Sequence, residues 1–486
     1  MTNLVISKKN EIYLKIDCEP HIKYELSDQF TFDVPGAKFM PQYRSKHWDG
    51  KIRLFNLTTG EIYAGLLDKV IEFCENHNYK FSLEENKFYG IPGEIVESIS
   101  LEGVKDYMKS ICSHEPRDYQ IQGVYEALRY KRKLVLSPTA SGKSLMIYSV
   151  VRYLVERGKN ILLIVPTTSL VEQMYKDFED YGWDSEKYCH KIYGGMDRSS
   201  DKQVTISTWQ SIYKLDKSYF TSYDAVIGDE AHLFKSKSLV SIMSKLFDAD
   251  YRFGFTGTLD GSQTHKLVLE GLFGPTYKLI KTDELIKKGY LSKLDIKVLL
   301  LSHNDTKIDN YEDEVQYLIT HERRNKFIKN LALDLKGNTL VLFNRVESHG
   351  KPLFDLINSG AKNRKVFFIH GKVDTEEREF VRQIAETETN AIIVASYGTF
   401  STGINIKNLH NIIFASPSKS RIRNLQSIGR VLRKGKEKVS ATLYDIADEI
   451  KYQSKKNYTL NHLIERIKIY NEENFNYEIL TINFKK

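Results

Sequence analysis

Lys133-Leu-Val-Leu-Ser-Pro-Thr-Ala-Ser-Gly-Lys-Ser144 joins a short apolar run to the segment Leu145–Glu156, whose apolar residues recur every three to four positions. A buried strand, a turn of small residues ending in Gly-Lys-Ser and an amphipathic helix make a phosphate-binding loop. Pro138, Thr139, Ala140, Ser141 and Gly142 wrap the phosphates with backbone, and Lys143 reaches the β and γ groups. Ser144 offers its hydroxyl to Mg²⁺. ATP with Mg²⁺ is the expected cofactor pair. The first glycine of the general pattern is replaced by Ser137, while Gly142-Lys143-Ser144 is intact.

Outward from this loop, two stretches alternate apolar runs with helical patterns. The first holds Lys133–Leu136, Ile161–Val165, Val204–Ser207, Ala225–Ile227 and Arg252–Phe255; the second holds Thr339–Phe343, Val366–Ile369, Ile392–Ala395, Ile412–Ala415 and Ala441–Tyr444. Runs of Val, Ile, Leu and Phe without polar alternation are strands buried on both faces. With helices such as Ser144–Glu156 and Ser169–Tyr181 between them, they predict an α/β fold of two tandem RecA-like lobes, each a doubly wound parallel sheet. The expected lobes span residues 113–285, which bind ATP, and 286–486. Part of the charged segment Lys281–Asp313 reads as linker and first pairing strand of the second lobe. Residues 1–112 fit neither repeat and form a small α+β N-terminal domain.

Acidic residues follow the fourth run of the first stretch in Ala225-Val-Ile-Gly-Asp-Glu-Ala-His232. Ligands bind at strand ends in parallel sheets, which sets Asp229 and Glu230 beside the phosphate loop. Asp229 is the expected Mg²⁺ ligand through water, and Glu230 the group that orients or deprotonates the attacking water. A solvated charged turn is the bland alternative. Upstream, Gln120 can bond an adenine edge, with Arg117 or Tyr119 near the ring. In Asn424-Leu-Gln-Ser-Ile-Gly-Arg-Val-Leu-Arg433, Gln426, Arg430 and Arg433 fall on one face of a helix, so both guanidiniums can reach a transferring phosphoryl group. A solvated basic helix is the alternative there.

Composition narrows the class. The 486 residues are 41% hydrophobic and 28% charged, so several cores can form and disorder is excluded. No run of 18 apolar residues occurs, and the opening MTNLVISKKNEIYLKI carries charges where a signal peptide would be apolar. A cytoplasmic protein without membrane contact is expected, in the bacterial host if the chain is viral. Four cysteines without a CxxC pair and scattered histidines predict reduced thiols and no structural metal. The net charge of +8 permits a polyanionic partner.

Taken in order, Gln120, the 137–144 loop, Val165-Pro-Thr-Thr168, Ser207-Thr-Trp-Gln210, Asp229–His232, Thr256-Gly-Thr258, Phe343-Asn-Arg345, Ser396-Tyr-Gly-Thr-Phe-Ser-Thr-Gly403 and Gln426–Arg433 resemble the motif series of superfamily 2 helicases. The resemblance implies an ATP hydrolase whose lobes step along nucleic acid. It assigns Thr167, Thr168, Thr208, Gln210, Arg345 and Thr402 to the strand, Gly403 to the nucleotide, and His232, Thr256 and Thr258 to coupling. Asp229-Glu-Ala-His232 has the DEAH form, Ala140 stands where many members have glycine, and Thr256-Gly-Thr258 departs from the usual coupling residues.

The stretch Lys38-Phe-Met-Pro-Gln-Tyr-Arg-Ser-Lys-His-Trp-Asp-Gly-Lys-Ile-Arg-Leu-Phe55, with Ala64-Gly-Leu-Leu and Phe73-Cys-Glu-Asn-His-Asn-Tyr79, is similar to the UvsW recombination helicases of T-even bacteriophages. That similarity implies remodelling of branched DNA: fork regression, junction migration and removal of RNA from RNA–DNA hybrids. A monomeric motor is expected, with single-strand-binding or recombination proteins as partners. Read from the residues alone, Tyr43, Arg44, Lys46, Trp48 and Arg53 interleave rings with cations, which suits phosphate contact plus base stacking. Core aromatics with solvated cations are the alternative. Three rival functions stay open. An RNA helicase is disfavoured by the short tail after Arg433, residues 434–486. An ATP-switched annealing or junction-binding protein would not need the whole coupling set. A nuclease motor subunit would need a partner chain.

Overall fold

The computed structural model describes residues 3–90, 99–403, 406–434, 438–451 and 456–485, with backbone alone at Lys235, Thr375 and 401–403. The chain divides into two compact units, Met1–Ser137 with Gly142–Leu279, and Ile280–Lys486 with Pro138–Ser141.

The first unit is built on a seven-stranded sheet. In spatial order it runs Cys189–Ile192, Val204–Thr208, Ile161–Val165, Ala225–Asp229, Tyr251–Thr256, Arg132–Leu136, Thr276–Lys278, and every pair is parallel. Ile161–Val165 is buried at every position, as its unbroken apolar run requires, and Val204–Thr208 is buried throughout although Thr205, Ser207 and Thr208 interrupt its apolar residues. The helices Lys143–Val155 and Thr168–Asp180 supply part of the covering layer, with Met146, Val150, Leu154, Val171 and Phe178 in one apolar cluster with the strands. The helix Leu101–Ile111, which precedes the expected boundary at residue 113, also packs into this cluster through Val104 and Met108.

The second unit repeats the plan. Its sheet runs Val366–Ile369, Ile392–Ser396, Thr339–Phe343, Asn411–Phe414, Ser440–Glu449, Lys293–Ser302, Tyr477–Asn483, again parallel throughout. Numbered along the chain, both sheets have the order 3-4-2-5-6-1-7. Strands 1 and 6 of the second sheet are ten residues each and pair from end to end. Above their ends lies a buried ion cluster. Asp448 accepts from Arg324 Nε at 2.9 Å and contacts His303 Nε2 at 2.8 Å, while Arg324 Nη2 donates to Ala415 O at 2.9 Å. The Arg324 guanidinium and the His303 ring hold the Asp448 carboxyl below the usual carboxylate range despite full burial. One layer down, Arg466 grips Asp445 through Nε and Nη2 at 2.8 Å each, and the Tyr470 hydroxyl donates to the same carboxylate.

The N-terminal region folds on a mixed sheet, Phe55–Asn56, Glu61–Tyr63, Tyr13–Cys18, Leu4–Lys8, Phe81–Leu83, plus a two-stranded ribbon of Thr31–Asp33 and Lys51–Arg53. Its apolar residues do not close a separate core. Leu4, Ile16, Ile62, Leu66 and Phe73 share one cluster with Leu134, Phe234, Leu269 and Phe273 of the first lobe. The turn Ala64–Leu66 lies so close to the helix Gln263–Phe273 that a Cβ on Gly65 would overlap Glu270 O. Across the same seam, a Cβ on Gly271 would lie 2.9 Å from Tyr63 Cβ. All four cysteines are free thiols, Cys74 and Cys189 buried, and no helix among the described residues is long and apolar enough to cross a membrane.

Candidate functional site

Where strand Arg132–Leu136 ends, Ser137 N donates to Thr256 O at 2.9 Å and fixes the start of the loop against its neighbour. The turn then passes through two residues in the left-handed region, Ala140 at φ +68° and Gly142 at φ +83°. Gly142 has a second constraint, because a Cβ there would overlap Gln120 Nε2. Helix Lys143–Val155 starts at once. Lys143 Nζ bends back to donate to Ser137 O at 3.3 Å, and Ser144 Oγ lies 2.8 Å from the Tyr181 hydroxyl.

Gln120 is buried against this turn, where its Oε1 accepts the Arg117 N–H at 2.9 Å and Arg117 Nη1 donates to the Tyr119 hydroxyl at 2.8 Å. The amide oxygen expected at a base edge is thus already engaged in capping the helix Asp118–Tyr130.

Asp229 is the last residue of its strand and Glu230 turns out of it at φ +51°. Burial pushes the Asp229 carboxyl above the usual carboxylate range and the Glu230 charge adds to it, while Lys143 pulls the other way. A buried acid held unfavourably in this way, with Lys143 near it, suits an oxygen ligand of Mg²⁺ brought by a nucleotide. Among the described residues no group of three or more His, Cys, Asp or Glu side chains is placed to hold a metal on its own.

From here a chain of contacts leads away from the loop. His232 Nδ1 lies 3.0 Å from Thr256 Oγ1 and 3.3 Å from Glu230 Oε2, and the Thr256 hydroxyl donates to Thr258 O at 3.1 Å. His265, on the helix that carries the N-terminal seam, continues it, with Nε2 at 2.9 Å from His232 O and Nδ1 at 2.7 Å from Asp260 Oδ1. The three residues expected to couple are therefore assembled, and the sequence reading missed His265, Asp260 and Tyr181. The one signal for His265 was a titratable side chain inside the apolar helix QTHKLVLEGLF; Tyr181 had none.

In the second unit, Gln426 and Arg430 lie on helix Arg421–Val431, with the Arg430 guanidinium 5.9 Å from the Phe400 ring centre. The helix ends at Val431, so Arg433 lies two residues beyond the helix that carries Gln426 and Arg430. The side chains of Thr402 and position 403 lie outside the described residues. Arg345 Nη2 pairs with Glu312 at 2.6 Å.

The remaining expected strand contacts sit at helix starts. Thr167 Oγ1 accepts from Leu170 N at 3.3 Å, Thr168 and Gln210 are exposed, and Thr208 is buried with its hydroxyl 2.9 Å from Ser211 Oγ. In the N-terminal region Tyr43, Arg44 and Lys46 are exposed. Trp48 is half-buried, its Nε1 donating to Lys51 O at 2.8 Å, and Arg53 pairs with Asp49 at 2.5 Å. Arg53 thus has a carboxylate partner within the cluster of rings and cations.

Three family models match the chain: "DNA helicase UvsW, N-terminal" over residues 6–84, "Type III restriction enzyme, res subunit" over 113–261, and "Helicase conserved C-terminal domain" over 322–435. The ATP-dependent DNA helicase uvsW of Enterobacteria phage T4 is 36% identical over 97% of this chain and 98% of its own. A DNA 3'-5' translocase, XPB2 of Sulfurisphaera tokodaii, is 24% identical over 73% of this chain and 85% of its own. The crystal structure of T4 UvsW aligns with 99% of this chain and 100% of that one, at a TM-score of 0.52 and 34% identity.

Proposed function

Because the chain belongs to the UvsW family of ATP-dependent DNA helicases, we propose that it remodels branched DNA, regressing forks, migrating junctions and stripping RNA from RNA–DNA hybrids in the cytoplasm. The observation that carries this reading is the arm of the N-terminal region. Exposed Tyr43, Arg44 and Lys46 stand on the same compact unit as Lys143, Asp229 and Glu230, and the ribbon that carries them packs through Phe32 and Ile52 on an apolar cluster that includes Leu134, Leu269 and Phe273. A grip on DNA built into the motor lobe can bear on a junction while the motor moves.

The chemistry follows from the strand ends. Lys143 binds the β and γ phosphates, and Ser144 and Asp229 would hold the metal, which would neutralise phosphate charge. Glu230 orients the attacking water and accepts its proton, while Arg430 and Arg433 stabilise charge on the transferring phosphoryl group. His232, Thr256 and Thr258 carry the change in phosphate state into the body of the lobe, and His265 extends it to the helix on which the N-terminal region rests. Thr167, Thr168, Thr208, Gln210, Arg345 and Thr402 contact the strand.

Hydrolysis measured without nucleic acid and with single-stranded DNA, forked DNA and RNA tests the proposal. Forked DNA is expected to stimulate most and RNA least. Equal stimulation by single-stranded and forked DNA would remove the branched-substrate reading, and a preference for RNA would replace DNA as the track. The variant Arg44→Ala, Lys46→Ala is expected to weaken fork binding and to flatten its salt dependence, the slope falling by about 0.7 to 0.9 for each phosphate that the variant no longer grips.

A further inference from the structure

The ribbon Thr31–Asp33/Lys51–Arg53 carries the loop 34–50, and at its tip Phe39 is 67% exposed and Met40 42% exposed. Burying side chains of this size ordinarily stabilises a fold, so two adjacent ones left in solvent forgo a sizeable contribution. The tip is nevertheless well fastened. Val34 N donates to Gly50 O at 2.8 Å and closes the base. Phe39 N then donates to Gly36 O at 3.0 Å, Met40 N to Ala37 O at 2.8 Å, and Arg44 Nε to Lys38 O at 3.3 Å. Pro41 starts the short helix behind Met40, Ala37 is buried beneath it, and the Tyr43 ring packs on Gly50. Holding two apolar groups outward on a braced turn removes the entropy cost of ordering them on a ligand.

The surroundings name the ligand. Lys38 and Arg44 stand at the tip, Lys46 follows the short helix and Lys51 lies at the base of the loop, and among the described residues none of the four forms an ion pair. Lys38 Nζ lies 5.3 Å from the Phe39 ring centre. Two apolar side chains are too small a patch for a protein interface, which needs a contiguous apolar area and few like charges. Apolar side chains with cations beside and behind them match a nucleic acid entered between its bases, where a wedge unstacks a step and nearby phosphates meet lysine and arginine.

We infer that Phe39 and Met40 form a wedge that stacks into the branch point of DNA, prising apart the pair at which strands separate, while the four cations grip the flanking backbone. This rests on the branched-DNA reading and adds to it the groups that touch bases.

The test uses the full chain and a fork carrying 2-aminopurine at the branch point, whose fluorescence rises when the base unstacks. The parent is expected to raise the signal at least threefold on binding without ATP. Phe39→Ala, Met40→Ala should lose that rise and slow fork regression at least tenfold, with circular dichroism unchanged because both side chains lie outside the core. Phe39→Trp should keep the rise, since an indole stacks as well. If the double alanine variant unstacks the base and regresses forks as the parent does, the wedge is overturned, and the tip is left to a protein partner. Arg44→Ala, Lys46→Ala separates the two ideas. Lost fork binding there with normal unstacking by the alanine variant keeps the branched-DNA reading and sinks the wedge, whereas a parent that binds forks no better than single strands sinks both.

Discussion

The two sheets share the order 3-4-2-5-6-1-7, yet only one opens onto a phosphate loop, and the difference lies at the ends of strands 1 and 6. In the first sheet these strands stop together, Leu136 opposite Thr256, and the chain turns through Ala140 and Gly142 into a helix. In the second sheet Phe414 of strand 5 pairs with Asp445, but strand 6 continues through residues 446–449 beside strand 1 up to Ser302. The space above strand 5 is taken by Asp448, Arg324 and His303, each below 2% exposure. One topology thus gives a ligand site where strands end early and a satisfied ion cluster where they run on. Parallel sheets offer a position at their carboxyl ends, and local sequence decides what fills it.

The largest expected effects test what each sheet contributes to hydrolysis. Arg430→Ala should lower kcat by about a thousandfold with ATP affinity nearly unchanged, and Glu230→Gln should bind ATP while releasing phosphate at a small fraction of the parent rate. Steady-state phosphate release and titration with a fluorescent nucleotide read both. Normal turnover in Arg430→Ala would leave the first sheet alone responsible for the chemistry. Next in size, Asp448→Ala strands the buried Arg324 guanidinium and should destabilise the protein by about 3–5 kcal/mol. Urea unfolding measures it, and a destabilisation below about 1 kcal/mol would mean that water enters the second sheet's strand ends.

A smaller effect concerns acid. His349 is buried with Nδ1 3.0 Å from Ser416 Oγ, and burial with the nearby Arg324 charge pushes its ring down to about 3. The unfolded chain therefore takes up a proton near pH 6.5 that the folded chain refuses until about pH 3. Stability from this group is present above the unfolded value and declines as pH falls, by about 2 kcal/mol between pH 6.5 and 5. His349→Gln should flatten the pH dependence of the urea midpoint over that interval, and an unchanged slope would shift the acid response to other groups. The smallest change is in the first sheet's loop. Ala140→Gly relieves a left-handed alanine worth about 1–2 kcal/mol and adds back glycine's chain entropy. A net gain of about 0.5 kcal/mol should show in Tm, and a fall in Tm would indicate that the methyl group is packed.

Most of the fold was legible because its central strands are apolar on both faces. Ile161–Val165 and Thr339–Phe343 begin and end where the apolar runs do. What escaped lies at the sheet edges. Cys189–Ile192, Thr276–Lys278 and Tyr477–Asn483 face solvent on at least one side, so Lys278, Glu478 and Asn483 interrupt any apolar run. Strand Lys293–Ser302 was expected only as part of a charged segment, because Asp295 and Lys297 mask the buried Ile296 and Val298. The phosphate loop was legible since its chemistry is contiguous, whereas Tyr181 on Ser144 and His265 behind His232 are contacts between residues 37 and 33 positions apart. Pattern along a chain reports neighbours in sequence, and these partners are made by the fold.

The seam at Gly65 and Gly271 has a bearing on how such motors could be rebuilt. Gly65 meets the backbone of Glu270 and Gly271 meets the Tyr63 side chain with no room for a methyl group, and Leu66 and Phe73 on one side share their cluster with Leu269 and Phe273 on the other. A chimera that exchanged the first ninety or so residues for those of another motor would have to bring the matching helix 263–273 as well, although nearly two hundred residues separate the two segments in the gene. The heritable module is a fold-back pair, so shuffling at a single breakpoint would yield a lobe with a bare apolar flank and a strong tendency to aggregate.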